Sequence, residues 1–328
     1  MNKQFIFKLT IAMILLIVIL IKCNGLMCNN TVNSFDSLSN EIHLLTYNIY
    51  LLPVKTNEYS TFDNFRVNQF INKIDKYNII CLQEVFTNNY KNINLLLKKC
   101  KEKGYNSYFV KTPSFFSQYL VNGGLLILSK FKIHDSGFVP FFYNKSYDSL
   151  SEKGILYIKI ICNNKPIYVF NTHLQANYDY NLTTSYKKVM KLQLKYIINT
   201  LKNYKNNNSI ILSGDFNIDN KEFKLSNLMY YNGFIDTIPY NKNNYTYINY
   251  YDKNSSEIIN YKPFFCKRSK NKIEKLKFHT KKFKIDYTFY YPKHIRLISS
   301  SIINFNIKHK YLTHISDHKA IYTHFYSL

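Results

Sequence analysis

Short apolar runs that stop on a carboxylate, an amide or an imidazole constrain this chain more than any other feature. HLLTYNI (His43 to Ile49) carries Asn48 near its end, and NIICLQE closes on Glu84. KPIYVF runs into NTHLQA, so His173 ends a strand-like segment. Asp215 and Asn217 close SIILSGDFN, Asp286 sits at the head of DYTFYY, and Asp317 and His318 lead into HKAIYTHF. Runs of this length, rich in β-branched and aromatic residues, predict strands. A polar group directly after such a run is costly to bury unpaired. One of them alone is a satisfied cap, and a lone His at a strand end is most simply a core residue. A set of them predicts a shared site, because ligands of layered α/β folds bind at strand ends.

Helical patterns alternate with these runs. Apolar residues recur near helical spacing in FDNFRVNQFINKID (Phe62 to Asp75), in Lys91 to Lys103, and most clearly in Tyr186 to Leu201. GGLLILSKFKI, GILYIKII and PIYVFNTHL are further strands. A longer loop separates the first two, and a tight CNNK turn joins the second and third. Hairpins and crossovers together predict a mixed α/β fold with packed sheets flanked by helices. No repeat or Gly/Pro/Ser-rich linker divides the chain, so residues 40–328 are expected to form one domain. Asn241 to Lys284, rich in Lys and Tyr, lacks clean periodicity. It is expected to be a surface excursion, either solvated or touching a membrane through YKPFFCKRSK.

The strand-end residues are chemically coherent. Carboxylate and amide oxygens suit a hard divalent cation. Mg²⁺ takes one or two carboxylates and keeps waters and phosphate oxygens for the rest of its shell. A cation beside a phosphodiester stabilises charge on the leaving oxygen and orients an attacking water. A His next to an Asp serves as the base for that water. A second His donates to the phosphate as charge develops. No Ser or Cys nucleophile motif is present, which favours direct attack by water.

The N-terminus has a basic start with Lys3 and Lys8, an uncharged apolar run from Leu9 to Ile21, then KCNG. This is a secretory signal pattern over residues 1–25, with an uncleaved anchor as the alternative. Secretion or the secretory lumen is therefore expected. The chain has 44 Lys+Arg against 20 Asp+Glu, a net charge of +24. Nucleic acid and acidic membranes attract such a chain. The cations are nearly all Lys, in a sequence also rich in Asn, Tyr and Ile, and composition alone accounts for most of the excess. Cys23, Cys28, Cys81, Cys100, Cys162 and Cys266 match no zinc spacing, and Cys81 is expected to be a buried thiol.

Taken in order, YN (Tyr47-Asn48), QE (Gln83-Glu84), THL (Thr172 to Leu174), GDFN (Gly214 to Asn217), DY (Asp286-Tyr287) and SDH (Ser316 to His318) resemble the motifs of the endonuclease/exonuclease/phosphatase superfamily. YNIYLLP (Tyr47 to Pro53), NGGLLILSKFKI, DSLSEKGILYIKI and THLQA are similar to the neutral, secreted-type sphingomyelinases C within it. The resemblance implies a four-layered α/β sandwich of the DNase I-like kind, with two packed mixed sheets flanked by helices. It implies Mg²⁺-dependent hydrolysis of sphingomyelin to ceramide and phosphocholine, with Mn²⁺ or Co²⁺ as substitutes. By position, Glu84 matches the principal metal ligand with Asn48 beside it, and Asp215, Asn217 and Asp317 match metal or water ligands. His318 matches the general base, Asp286 its orienting partner, and His173 the group facing the phosphate. The implied partner is a sphingomyelin-containing membrane met by a monomer, with no nucleic acid. Tyr261, Phe264 and Phe265 are the candidates for docking. A secreted DNase I-like nuclease and a lysophospholipase C-type activity are the alternatives on the same fold.

Overall fold

The computed structural model describes residues 39–53, 62–86, 90–109, 113, 117–178, 184–252 and 278–328. The signal-like segment, Cys23, Cys28, Cys266 and the docking candidates Tyr261, Phe264 and Phe265 lie outside the described residues.

In chain order the first strands are β1 (Glu41–Leu51), β2 (Ile79–Val85), β3 (Asn106–Phe109), β4 (Val121–Asn122), β5 (Leu126–Ser129), β6 (Asp135–Pro140), β7 (Ser151–Glu152) and β8 (Gly154–Cys162). They are followed by β9 (Lys165–His173), β10 (Ser209–Asp215), β11 (Ile235–Asp236), β12 (Tyr247–Asp252), β13 (Phe278–Phe283), β14 (Asp286–Tyr291), β15 (Ile295–Ile303) and β16 (Ala320–Ser327). The helices are α1 (Asp63–Ile71), α2 (Tyr90–Glu102), α3 (Thr184–Lys202), α4 (Asn220–Phe223) and α5 (Leu225–Tyr231).

Two six-stranded mixed sheets carry the fold, in the orders β15-β16-β1-β2-β5-β3 and β11-β14-β10-β9-β8-β6. Period-2 alternation sorts their side chains into layers. Ile42 and Leu44 of β1, Ile79 and Cys81 of β2, Ile167 and Val169 of β9 and Ile211 of β10 meet in the core between the sheets. Leu45, Tyr47 and Ile49 face the other way, onto Val67, Phe70 and Ile71 of α1 and Ile93, Leu96 and Leu97 of α2. Phe170, Ile210 and Leu212 leave the second sheet on its outer side and pack on Met190, Leu194 and Ile197 of α3 and Met229 of α5. The result is helix, sheet, sheet, helix: the expected four-layered sandwich. Each buried Leu or Ile contributes about 1.5–3 kcal/mol of hydrophobic stabilisation.

The CNNK turn is a two-residue hairpin in which Asn163 and Asn164 take φ of 50° and 57°, which Asn tolerates. Three strands depart from the sequence expectation. The loop between β5 and β8 contains β6, paired antiparallel with β8. β3 and β15 are edge strands. β15 reads IRLISSSII, and its exposed serines hide the apolar pattern. Asn241 to Lys284 also differs: β12 and β13 pair as an antiparallel ribbon that leads directly into β14. Cys81, Cys100 and Cys162 are buried free thiols. Among the described residues, no helix is long and apolar enough to cross a membrane.

Candidate active site

The sandwich parity that builds the core also aims the polar residues. On β1 the inter-sheet positions Ile42 and Leu44 continue to Thr46 and Asn48. On β10 Ile211 continues to Ser213 and Asp215, and on β9 Val169 continues to Asn171 and His173. Asp286 opens β14 in register with Asp215 of β10, which pairs in turn with His173 of β9. All four side chains therefore emerge from the gap between the sheets at one end.

Glu84 reaches the same place by breaking the rule. Leu82 belongs to the outer core and Gln83 faces inward, so strict alternation would turn Glu84 outward. Val85, however, is back in the outer core, so parity slips by one residue at Glu84. The cause is local. Glu84 has φ of 58°, Tyr50 on the neighbouring strand has φ of 57°, and the β1–β2 register shifts between Asn48 and Leu51. Gly124, with φ of 66°, supports this kink. Its carbonyl accepts from the Val85 N–H at 2.8 Å, and a Cβ there would lie 3.2 Å from the Glu84 Cα. Gly214 of the GDFN motif is likewise fixed by space, since its Cβ would fall 1.9 Å from the Thr172 carbonyl oxygen.

Asn48, fully buried, joins the two halves. Its Nδ2 donates to Glu84 Oε1 at 2.9 Å and to Asp215 Oδ2 at 3.0 Å, while its Oδ1 accepts from the Tyr50 N–H at 3.1 Å. An oxygen ligand from Asn48 would require the amide to turn over and give up Tyr50. Asp215 Oδ1 accepts from the Asn217 N–H at 2.8 Å, and the Asn217 amide donates to the Leu174 carbonyl at 3.1 Å. Both imidazoles face Asp215 Oδ2, His173 Nε2 at 3.6 Å and His318 Nε2 at 3.7 Å. His318 Nδ1 lies 3.0 Å from Asp286 Oδ2. Asp317 sits beside Ser316, whose hydroxyl donates to the Asn48 carbonyl at 2.7 Å. The structure thus brings all eight sequence candidates into one connected cluster, with Asp317 and His318 in the turn just before β16.

The electrostatics separate the two histidines. Burial opposes charge on His318, but Asp286 and then Asp215 outweigh it and hold its pKa well above the ordinary value. Burial, then Lys153 and His318, hold that of His173 well below it. Burial and the Asp286 charge push the Asp215 carboxyl up to about 7. The two imidazoles are thus shifted in opposite directions, the divergence an acid/base pair needs. Asp215, Asp286 and His318 bring candidate ligand atoms within 4.8 Å of one another, and the buried Asp286 Oδ1 has no hydrogen-bond partner among the described residues. Oxygen donors crowded together with an unsatisfied carboxylate oxygen fit a hard divalent cation.

Several supporting residues were invisible to motif reading. Thr246 and Tyr247 lie in the stretch expected to be an excursion. The Thr246 hydroxyl accepts from the Ile285 and Asp286 N–H groups at 3.1 and 3.2 Å, and its carbonyl accepts from the Lys319 N–H at 2.8 Å. Asp286 and Lys319, the residue after His318, are thereby both tied to Thr246. The Tyr247 ring lies over His318 with centroids 4.8 Å apart. Buried Lys153 binds the Leu174 carbonyl at 2.8 Å and Asp148 at 2.9 Å, fixing the chain just beyond His173. Gln175 is wholly buried and occupied by Lys145, Ala176 and Gln193. In THLQA it is therefore a scaffold residue.

A model of the endonuclease/exonuclease/phosphatase family matches residues 45–318. The chain is 31% identical over 180 residues to a sphingomyelinase of Dictyostelium discoideum, covering 45% of this chain and 39% of that one. It is 29% identical over 202 residues to a sphingomyelinase C of Bacillus cereus, covering 55% and 58%. It thus spans about two fifths to three fifths of the length of these relatives. Its fold is similar to the crystal structure of a beta toxin double mutant from Staphylococcus aureus with bound magnesium ions. That likeness has a TM-score of 0.63 at 20% identity, over 88% of this chain and 100% of that one. Six ordered motifs, a layered sandwich that gathers them and a family match over most of the chain lead to one assignment: this protein belongs to the endonuclease/exonuclease/phosphatase family.

Proposed function

We propose that this chain is a sphingomyelinase C that hydrolyses sphingomyelin to ceramide and phosphocholine by direct attack of water, with Mg²⁺ as its cation. The observation that carries this reading is the pair of histidines that both face Asp215 Oδ2, one of them backed by the Asp286 carboxylate. The sphingomyelinases among its relatives support the choice of substrate.

Glu84 would be the principal ligand for the cation, and Asp215, Asn217 and Asp317 would hold it or its waters. Mg²⁺ when bound stabilises negative charge on the phosphate and leaving oxygens. The chain does the rest. His318 Nε2 takes the proton of the attacking water, which Asp215 and Asn217 orient. Asp286 fixes the ring through Nδ1 and, with Asp215, stabilises the imidazolium once the proton has arrived. His173, kept neutral, donates an N–H to the phosphate oxygens without adding a second positive charge beside His318. The signal-like segment directs the chain into the secretory path, where it meets its lipid on a membrane surface.

Hydrolysis of sphingomyelin vesicles in ¹⁸O-water tests the mechanism. Water attack on phosphorus places one ¹⁸O in phosphocholine and none in ceramide. Label in ceramide would mean attack on carbon and remove His318 from the proposed role.

A further inference from the structure

A second cluster of metal-ligand side chains lies on the outer face of the first sheet, at the opposite end of β1. His43 of β1 and His324 of β16 are direct cross-strand partners. Their rings stack with centroids 4.3 Å apart and 20° between planes. Glu41, two residues before His43, shares that face. Its Oε2 lies 3.3 Å from His43 Nε2 and 3.8 Å from His324 Nε2, and candidate ligand atoms of the three residues fall within 4.8 Å of one another. His43 is five residues from Asn48, roughly 17 Å along an extended strand.

We propose that Glu41, His43 and His324 form a binding site for a borderline divalent cation, Zn²⁺ foremost, separate from the catalytic cluster. The donor chemistry differs from that of the active site. Two imidazoles and one carboxylate are a ligand set zinc accepts, whereas Mg²⁺ prefers oxygen. Donors around a tetrahedral zinc stand about 3.3 Å apart, from bonds of about 2.0–2.1 Å, and Glu41 Oε2 already lies 3.3 and 3.8 Å from the two imidazole nitrogens. The frame is prebuilt. Asn78 accepts from the His43 N–H at 2.8 Å and donates to the Glu41 carbonyl at 2.9 Å, holding the backbone of both residues. His43 Nδ1 is engaged by the Tyr322 hydroxyl at 2.8 Å, which leaves Nε2 to face Glu41, as an outer partner orients a ligating histidine. His324 Nε2 is buried and has no hydrogen-bond partner among the described residues. The half-exposed Glu41 side chain leaves an entry from solvent. A bound ion would staple β1, which carries Asn48, to β16, which follows His318.

The test is Zn²⁺ titration of the full chain in saturating Mg²⁺, read by competition with a chromophoric chelator and by thermal melting. Glu41→Gln and His324→Gln are compared with wild type, and His318→Ala serves as the catalytic control. Wild type and His318→Ala should take up Zn²⁺ with the same affinity and melt higher with it. Each cluster variant should bind at least about tenfold more weakly and lose the zinc-dependent rise in Tm. Glu41→Gln should keep full Mg²⁺-supported activity, and because Glu41 is half-exposed it decides the question if His324→Gln misfolds. Unchanged zinc affinity in Glu41→Gln, or loss of the site in His318→Ala alone, would overturn the proposal.

Discussion

Asp215 occupies the centre of the candidate catalytic cluster. It accepts from Asn48 and Asn217, and both imidazoles face its Oδ2. His318 is also held by Asp286, so its replacement removes the proposed base and leaves the carboxylates in place. His318→Ala is expected to lower turnover by about 10²–10⁴-fold with an unchanged far-ultraviolet circular dichroism spectrum. Retained turnover would exclude His318 as the base. The buried thiols give a second residue-scale expectation. Burial pushes Cys81 and Cys100 far above the usual thiol range, so thiolate is scarce at pH 8. Peptide mapping after iodoacetamide should find neither labelled in the native protein and both labelled after denaturation. Native labelling of Cys81 would mean that the core between the sheets opens readily.

Among the elements, the start of β14 and the turn before β16 depend on Thr246. Thr246→Val keeps the shape but leaves the Ile285 and Asp286 N–H groups buried without their acceptor, a cost of about 1–3 kcal/mol. The expected outcome is a lower Tm together with a fall in kcat, and Thr246→Ser should restore both. A fall in Tm with kcat intact would make Thr246 structural only. The same segment shows where sequence reading stopped. Strands β1, β2, β8, β9, β10, β14 and β16 were legible because their apolar runs alternate or stay buried throughout. β15 was not, because an edge strand tolerates exposed serines, and β12 was not, because its ribbon partner β13 begins 26 residues after β12 ends. All eight residues of the polar cluster were legible as candidates, since each follows or precedes an apolar run. How Glu84 enters the site was not, because alternation turns it outward and only the left-handed kink beside Gly124 brings it in. Gln175 was legible only as part of the THLQA resemblance, and its hydrogen bonds show it bracing the chain after His173.

At the scale of the whole molecule, two sheets bring their strand ends to one polar cluster, and a polar layer locks them behind it. Gln83 of one sheet donates to Asn171 of the other at 2.7 Å, and Asn171 returns bonds to the Leu82 and Leu126 carbonyls. The polar groups that the two sheets bring together are thus held in fixed relation, as the proposed electrostatic catalysis requires. The net charge of +24 is the strongest argument for nucleic acid, but lysines cap aromatic rings at Tyr105, Phe234, Tyr291 and Tyr322, spread across the molecule. The central claim is that the phosphodiester belongs to a lipid. Its most direct measurement is a parallel assay of the purified chain on sphingomyelin vesicles and on plasmid DNA, each with Mg²⁺ and with excess chelator. Phosphocholine release in Mg²⁺, its loss with chelator and intact plasmid are the expected result. Plasmid cleavage without phosphocholine release would contradict it.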